Sequence, residues 1–379
     1  MCYNKPHSGE VFMNNIFKDD FTKIIRNFNR SNNEEVKEAS AYSFVQVQYL
    51  AEYIYPLASI PSLTPEMEAY AYSFITKYYK SWKYLGKEIL NNLDLLENIY
   101  LEVLNELNKF AINRTEYSRN LEDINLDMYN DFYKNYPDFL KLYNKILSSN
   151  HLFFGDGDKN SCAYYFPSIK EDAIFVNLEK NFDVLCAIPH EMGHIYQFHI
   201  DYYDHRLGDN FLTEFTSTLM EYLFIDYYQG IDEKICKQMH IRMLYANKYL
   251  LLEALSQIEL FKRYPNAIED KQIKDKYLDE LSEIYNEYYK NNMDDDYYGE
   301  FMINEIYVHF YAIGFMLAMS YFYPVKYGID FNEIDKLYIQ NNKTNNLNDL
   351  LTQVDMEAIK QYLRDYLPKK NNKRIKKEL

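Results

Sequence analysis

Two histidines four residues apart, His190 and His194, bracket Glu191 in the stretch Cys186-Ala187-Ile188-Pro189-His190-Glu191-Met192-Gly193-His194-Ile195-Tyr196. On a helix that spacing turns both imidazoles to one face, one turn apart. Two neutral ring nitrogens can then grip one Zn²⁺, and the Glu191 carboxylate reaches a water on the open side of the metal. Ile188 and Ile195 give the polar group an apolar setting suited to a buried helix. The plainer reading is a helix that carries two histidines by accident. With only 8 His in 379 residues, the pairing around a glutamate favours the metal.

A hydrolytic zinc site needs a third protein ligand and an open fourth position. Glu214 follows His190 by 24 residues (214 − 190), enough to leave the first helix, cross a loop and return on a second. Apolar residues at Phe211, Leu212, Phe215, Leu219 and Leu223 make a helical stripe around it, and Asp209 or Asn210 is the expected cap. Glu221 lies two turns further on and would face the same way as Glu214. For Glu221, a solvated helix glutamate is an equally good reading.

His-Glu-Met-Gly-His at 190–194, followed by Phe-Leu-Thr-Glu-Phe-Thr-Ser-Thr-Leu-Met-Glu at 211–221, resembles the oligoendopeptidase F and thimet oligopeptidase family of zinc metallopeptidases. Its members carry H-E-x-G-H and then F-x-x-E-x-x-S-x-x-x-E. The resemblance implies that His190, His194 and Glu214 bind one Zn²⁺ per chain and that Glu191 is the general base. It leaves Thr218 and Glu221 as residues that hold a ligand in position from behind. The interval between the two motifs is a few residues shorter than the family's. Gln197 stands where relatives often have a further His, and His199 and His205 lie off the pattern.

The likeness extends to two strands before the zinc helix. Lys159, Ala163, Tyr164 and Asn177 fit the family's K-x-x-G-A-Y strand and its apolar strand ending in Asn, with Cys162 in place of the usual Gly. In the family an edge strand near the metal pairs with substrate backbone, which implies that Ala163, Tyr164, Phe175 and Asn177 contact a peptide. Main-chain pairing tolerates varied side chains and so suits peptides of mixed sequence. The plainer reading of this hairpin is scaffold.

Tyr307-x-x-x-Tyr311-Ala312-x-Gly314-Phe315 is similar to the family's F-Y-x-x-x-Y-A-x-G-F, whose tyrosines donate to the oxyanion formed when water attacks an amide. Tyr307 and Tyr311 are four apart, so their hydroxyls can point at one site; packing in a core is the competing use of both. The His that relatives carry upstream, near Glu300 or Phe301, is missing, and His309 is the available substitute.

These residues must be positioned mainly by helices. Thr64 caps a helix opening at Pro65, after breaks at Pro56 and Pro61, and Tyr70, Phe74, Tyr78 and Trp82 recur at i+4 as an aromatic stripe. Leu126 to Leu147 reads as helix interrupted at Pro137. Ser161–Phe166 and Ala173–Leu178 read as strands, and they are the only convincing ones. Helices are expected over Asp232–Tyr264 and Ala267–Asn291. The apolar run 306–319 is long enough to approach a membrane span, but its His and Tyr content indicates a buried helix. Gly155-Asp156-Gly157-Asp158 lacks the later ligands of a calcium loop. Asp294–Asp296 reads as a solvated loop.

The fold class expected is mainly α. The resemblance implies two helical lobes around a deep active-site cleft, with a small β hairpin or sheet beside the zinc helix. The expected organisation is a reduced helical lobe over 1–150, a catalytic domain over 151–367 and a disordered basic tail over 368–379.

A net charge of −16 argues against a nucleic-acid partner, since phosphates would be repelled. The start of the chain lacks a basic segment followed by an apolar run, and the 4 Cys lie without disulfide or metal spacing. Both point to a cytoplasmic protein with no membrane association. The expected function is hydrolysis of internal bonds in short unstructured peptides. Two alternatives stand beside it: a carboxy-end (di)peptidase with the same zinc set, and a peptide-binding or maturation protein on a zinc-peptidase scaffold. The oligomeric state is left open.

Overall fold

A computed structural model describes residues 9–54, 60–112, 125–155, 160–178, 183–203, 210–269, 272–293, 306–344 and 346–367. The Asp156–Asp158 loop, His205, the Asp294–Asp296 run, Glu300, Phe301 and the basic tail lie outside them. In chain order the helices begin with α1 (Gly9–Arg30), α2 (Glu34–Ile54), α3 (Pro65–Asn91), α4 (Leu93–Leu107), α5 (Leu126–Tyr133) and α6 (Pro137–Ser148). Strands β1 (Leu152–Gly155), β2 (Cys162–Phe166) and β3 (Glu171–Asn177) follow, then α7 (Asp183–Tyr203), α8 (Phe215–Tyr228) and α9 (Glu233–Arg263). Strands β4 (Ile268–Glu269) and β5 (Gln272–Ile273) precede α10 (Leu278–Asn292), α11 (Val308–Lys326), α12 (Phe331–Thr344), α13 (Leu347–Leu351) and α14 (Met356–Tyr366). The protein is mainly α, as its helical periodicities require.

The chain divides into two compact units, one of Met1–Tyr79 with Ser118–Leu207, the other of Lys80–Tyr117 with Gly208–Leu379. This departs from the division expected at residue 150. Residues 1–79 fold together with the strands and α7, so the expected catalytic domain is cut near residue 207.

In the first unit, Phe17, Phe21, Ile24 and Phe28 of α1 and Phe44, Val47 and Leu50 of α2 meet Phe153, Phe166 and Phe175 of the sheet in one core. Buried Asp20 accepts from or pairs with His151 at 2.9 Å, which satisfies a carboxylate that would be costly alone. The sheet order is β1-β3-β2, with β1 parallel and β2 antiparallel to β3. The small sheet expected is present, with β3 in the middle and β1 added to the two strands read from the sequence.

In the second unit α11 is the hub, packed against α8, α9 and α14. It is long and apolar enough to cross a membrane by length and composition, and most of it is buried inside the protein. Phe310, Ile313, Phe315, Met316, Leu317 and Phe322 are fully buried, each a contribution of about 1.5–3 kcal/mol from removed apolar surface. The helix expected over Ala267–Asn291 is shorter. Pro265 and the segment after it form 3₁₀ turns and the small β4–β5 pair, and α10 opens only at Leu278.

Candidate metal centre

The histidine pair is built by α7, and α7 carries Pro189 inside it. Proline has no N–H, so the Leu185 carbonyl one turn back loses its helical donor. The fully buried Tyr129 of α5 replaces it, donating from Oη to the Leu185 oxygen at 3.1 Å. The turn entering His190 therefore stays helical without an orphaned carbonyl. Further along, Tyr196 stacks on Phe139 of α6 with ring centroids 4.6 Å apart. Near the helix end His199 pairs with Asp172 of β3 at 2.9 Å. The Asp172 carboxylate is fully buried and also accepts from Lys145 at 3.0 Å. Three anchors thus fix the helix along its length.

On that rigid helix, His190 Nε2 and His194 Nε2 converge to 3.1 Å, their rings edge to face. Two nitrogens held on one tetrahedral zinc at about 2.0–2.1 Å would lie roughly 3.3 Å apart. Both rings are half-buried, and Glu191 is 4% exposed. The pair therefore fits a zinc ion, and the glutamate beside it sits in a setting of low water content. Gln197 is buried on the same helix.

Glu214 belongs to the second unit and is the N-cap residue of α8 rather than an interior residue. The stripe at Phe211 and Leu212 belongs to a closed turn before the helix. Asn210 Oδ1 accepts from the Leu212 N–H at 2.7 Å, and Thr213 Oγ1 accepts from the Asn210 N–H at 2.9 Å. Asn210, one of the two expected caps, thus caps this turn and not the helix. Tyr338 adds a bond to the Leu212 carbonyl at 2.9 Å. The result is a preset backbone that delivers a Glu214 side chain only 1% exposed.

The Glu214 carboxylate is held at both oxygens. Tyr307 Oη donates to Oε1 at 2.6 Å, and Ser217 Oγ donates to Oε2 at 3.3 Å. Ser217 matches the serine of the F-x-x-E-x-x-S motif but was given no role from the sequence; that match, three residues after Glu214, was its signal. Thr218 is buried, and its N–H donates to the Glu214 carbonyl at 3.3 Å, so its backbone continues the helix. Glu221 is half-buried, nearly two turns into α8.

Of the expected oxyanion donors, Tyr311 is half-buried with its ring edge toward Tyr307, centroids 5.3 Å apart. Tyr307 is engaged with Glu214. His309 needs correction: it is fully buried, its Nδ1 lies 3.2 Å from Tyr100 Oη, and burial pushes its pKa down to about 3. It is a neutral core histidine, turned into the packing with Tyr100 and Phe261, because α11 presents that face to α4 and α9.

The proposed peptide-contacting residues separate by strand. Ala163 and Tyr164 lie on the outer strand β2, where Tyr164 Oη receives a bond from Cys162 Sγ at 3.2 Å. Phe175 and Asn177 lie on the middle strand β3: Phe175 is paired on both sides, with Phe153 and Cys162, whereas Asn177 is paired with Gly155 and its N–H donates to Ser161 Oγ at 3.0 Å. Phe175 is also part of the core. The outer strand of the pair is therefore the one that carries Ala163 and Tyr164.

No protein-family model matches the sequence, and no curated protein matches it significantly. Among solved structures the chain is similar to a protein assigned as an oligoendopeptidase F from Bacillus anthracis strain Ames. Identity is 11% over 96% of this chain and 75% of the other, with a TM-score of 0.45. It is similar also to PZ peptidase A, solved with an inhibitor, at 9% identity over 96% of this chain and 77% of the other, with a TM-score of 0.44.

Proposed function

We propose that this chain is a zinc-dependent endopeptidase acting on short, unstructured peptides. The observation that carries the reading is the convergence of His190 Nε2 and His194 Nε2 to 3.1 Å with Glu191 between them on a braced helix. His190 and His194 would hold the ion, with Glu214 as third ligand by the sequence motif. Zinc, when bound, supplies Lewis acidity that lowers the pKa of a water and polarises a carbonyl.

Glu191 would take the proton of the attacking water and pass it to the leaving amine. Its burial favours that role, since little water competes for the proton acceptor there. Tyr311 would donate to the developing oxyanion. Ala163 and Tyr164 on the outer strand would pair with peptide backbone, independent of its side chains. The acidic chain suits neutral or basic peptides over nucleic acids. One zinc per chain and a cytoplasmic setting belong to the same proposal.

Metal analysis joined to digestion of a mixed library of short peptides, read by mass spectrometry, tests it. Internal cuts by a protein with one zinc per chain, both lost in His190→Ala, are the expected result. Cuts confined to carboxyl ends would replace it with the exopeptidase reading. Zinc without cleavage would replace it with a binding role.

A further inference from the structure

We infer that Tyr307 is a positioning residue for the Glu214 carboxylate, and that with Ser217 it forms a hydroxyl clamp presetting that carboxylate for a metal ion. The inference rests on the zinc-peptidase reading above and reassigns Tyr307 within it.

The geometry is specific. Tyr307 Oη donates to Glu214 Oε1 at 2.6 Å, a short hydrogen bond, and Ser217 Oγ donates to the other oxygen at 3.3 Å. A carboxylate has about four acceptor positions. A hydroxyl at each oxygen fixes the plane of the group, and so the direction in which it would face a cation. Because Glu214 is the cap residue of α8 and 1% exposed, water offers little competition for those bonds.

The Tyr307 ring is itself fixed. It stacks on fully buried Trp82, centroids 6.1 Å apart at 27°, and meets Phe310 edge-on at 5.1 Å. Moving the hydroxyl to a different acceptor would break that packing and leave the buried carboxylate short of a donor. A donor that must serve an oxyanion appearing only during the reaction should be free beforehand. Tyr307 is already committed to the Glu214 carboxylate. Ligand-orienting partners of this kind set metal affinity, and their loss costs about 10- to 100-fold.

The test measures zinc affinity by competition with a chromophoric chelator on the full chain, and the melting temperature of the metal-free protein. Wild type, Glu214→Gln, Tyr307→Phe, Ser217→Ala and Tyr311→Phe are compared. Glu214→Gln serves as the gate: if it leaves zinc affinity unchanged, the ligand set of the proposed function is wrong. With that gate passed, Tyr307→Phe should weaken zinc about 10- to 100-fold and Ser217→Ala by less, while Tyr311→Phe keeps the wild-type affinity. Tyr307→Phe with wild-type zinc affinity and reduced turnover at full zinc loading would overturn the clamp and return Tyr307 to the oxyanion. Should Tyr307→Phe fail to fold, Ser217→Ala decides, and an unchanged affinity there overturns the clamp as well.

Discussion

Gly314 of α11 lies directly against the backbone of Glu214. A methyl group built on it would stand 2.7 Å from the Glu214 carbonyl carbon, 2.8 Å from its oxygen and 2.9 Å from its Cβ. These neighbours are mostly backbone and cannot swing aside. The two helices approach this closely only because position 314 has no side chain. Gly314→Ala should therefore push α11 away from the cap of α8. The expected cost is about 1–3 kcal/mol of stability, read from urea unfolding. Weaker zinc binding should accompany it, because the Tyr307 hydroxyl would move with the helix.

Glu191→Gln keeps the shape of the side chain and removes its basicity. It should retain zinc and the wild-type melting temperature while losing most peptide hydrolysis, on the order of 10²- to 10⁴-fold for a lost general base. Steady-state turnover with an internally quenched peptide measures this. Turnover near the wild-type rate would remove Glu191 from the role.

Tyr129→Phe removes the donor that serves the Leu185 carbonyl. A buried carbonyl left alone costs about 1–3 kcal/mol. The double change Tyr129→Phe with Pro189→Ala restores a backbone N–H at position 189 and should recover much of that loss. Equal losses in the single and double variants would show that the proline and the tyrosine are not coupled.

Acid should destabilise the protein through two buried histidines. Burial pushes His309 and His240 each down to about 3, His240 also under the charge of Lys326. Each is neutral in the folded state, whereas in the unfolded chain it takes a proton near 6.5. As pH falls below about 6.5 the unfolded state binds more protons, so stability declines until the folded pKa is reached. The slope is roughly 1.4 kcal/mol per pH unit for each histidine. His309→Asn keeps a polar partner for Tyr100 and carries no titrating proton. Urea unfolding between pH 6.5 and 4 should show its acid slope reduced by about that amount.

What could be read from the sequence was local. His190 and His194 share a helix face by spacing alone, Thr64 caps a helix at Pro65 as its side chain allows (Met67 N–H to Thr64 Oγ1, 3.2 Å), and Pro137 starts α6 after a break. The apolar run around Ile313 is a buried helix. What escaped depends on partners far along the chain. β1 exists through parallel pairing of Leu152–Gly155 with Ile174–Asn177, and four residues carry no pattern of their own. Phe211 and Leu212 continue a helical stripe, yet Asn210 and Thr213 close a turn by side-chain bonds that periodicity cannot register. The division of the chain joins residues 1–79 to 118–207, which composition does not reveal. His309 and Tyr307 differ by two positions on one motif, and only packing shows that one faces Tyr100 and the other Glu214.

The reach of the Tyr307–Glu214 bond across 93 residues imposes an order on biosynthesis. At about 5–20 residues per second, a ribosome that has finished Glu214 works for roughly another 5–20 seconds before Tyr307 and α11 exist. The histidine helix and its anchors in the first unit are complete by then. During that interval the nascent chain carries the paired imidazoles without the clamp on the carboxylate. The arrangement of Glu214 is thus withheld until α11 has been made.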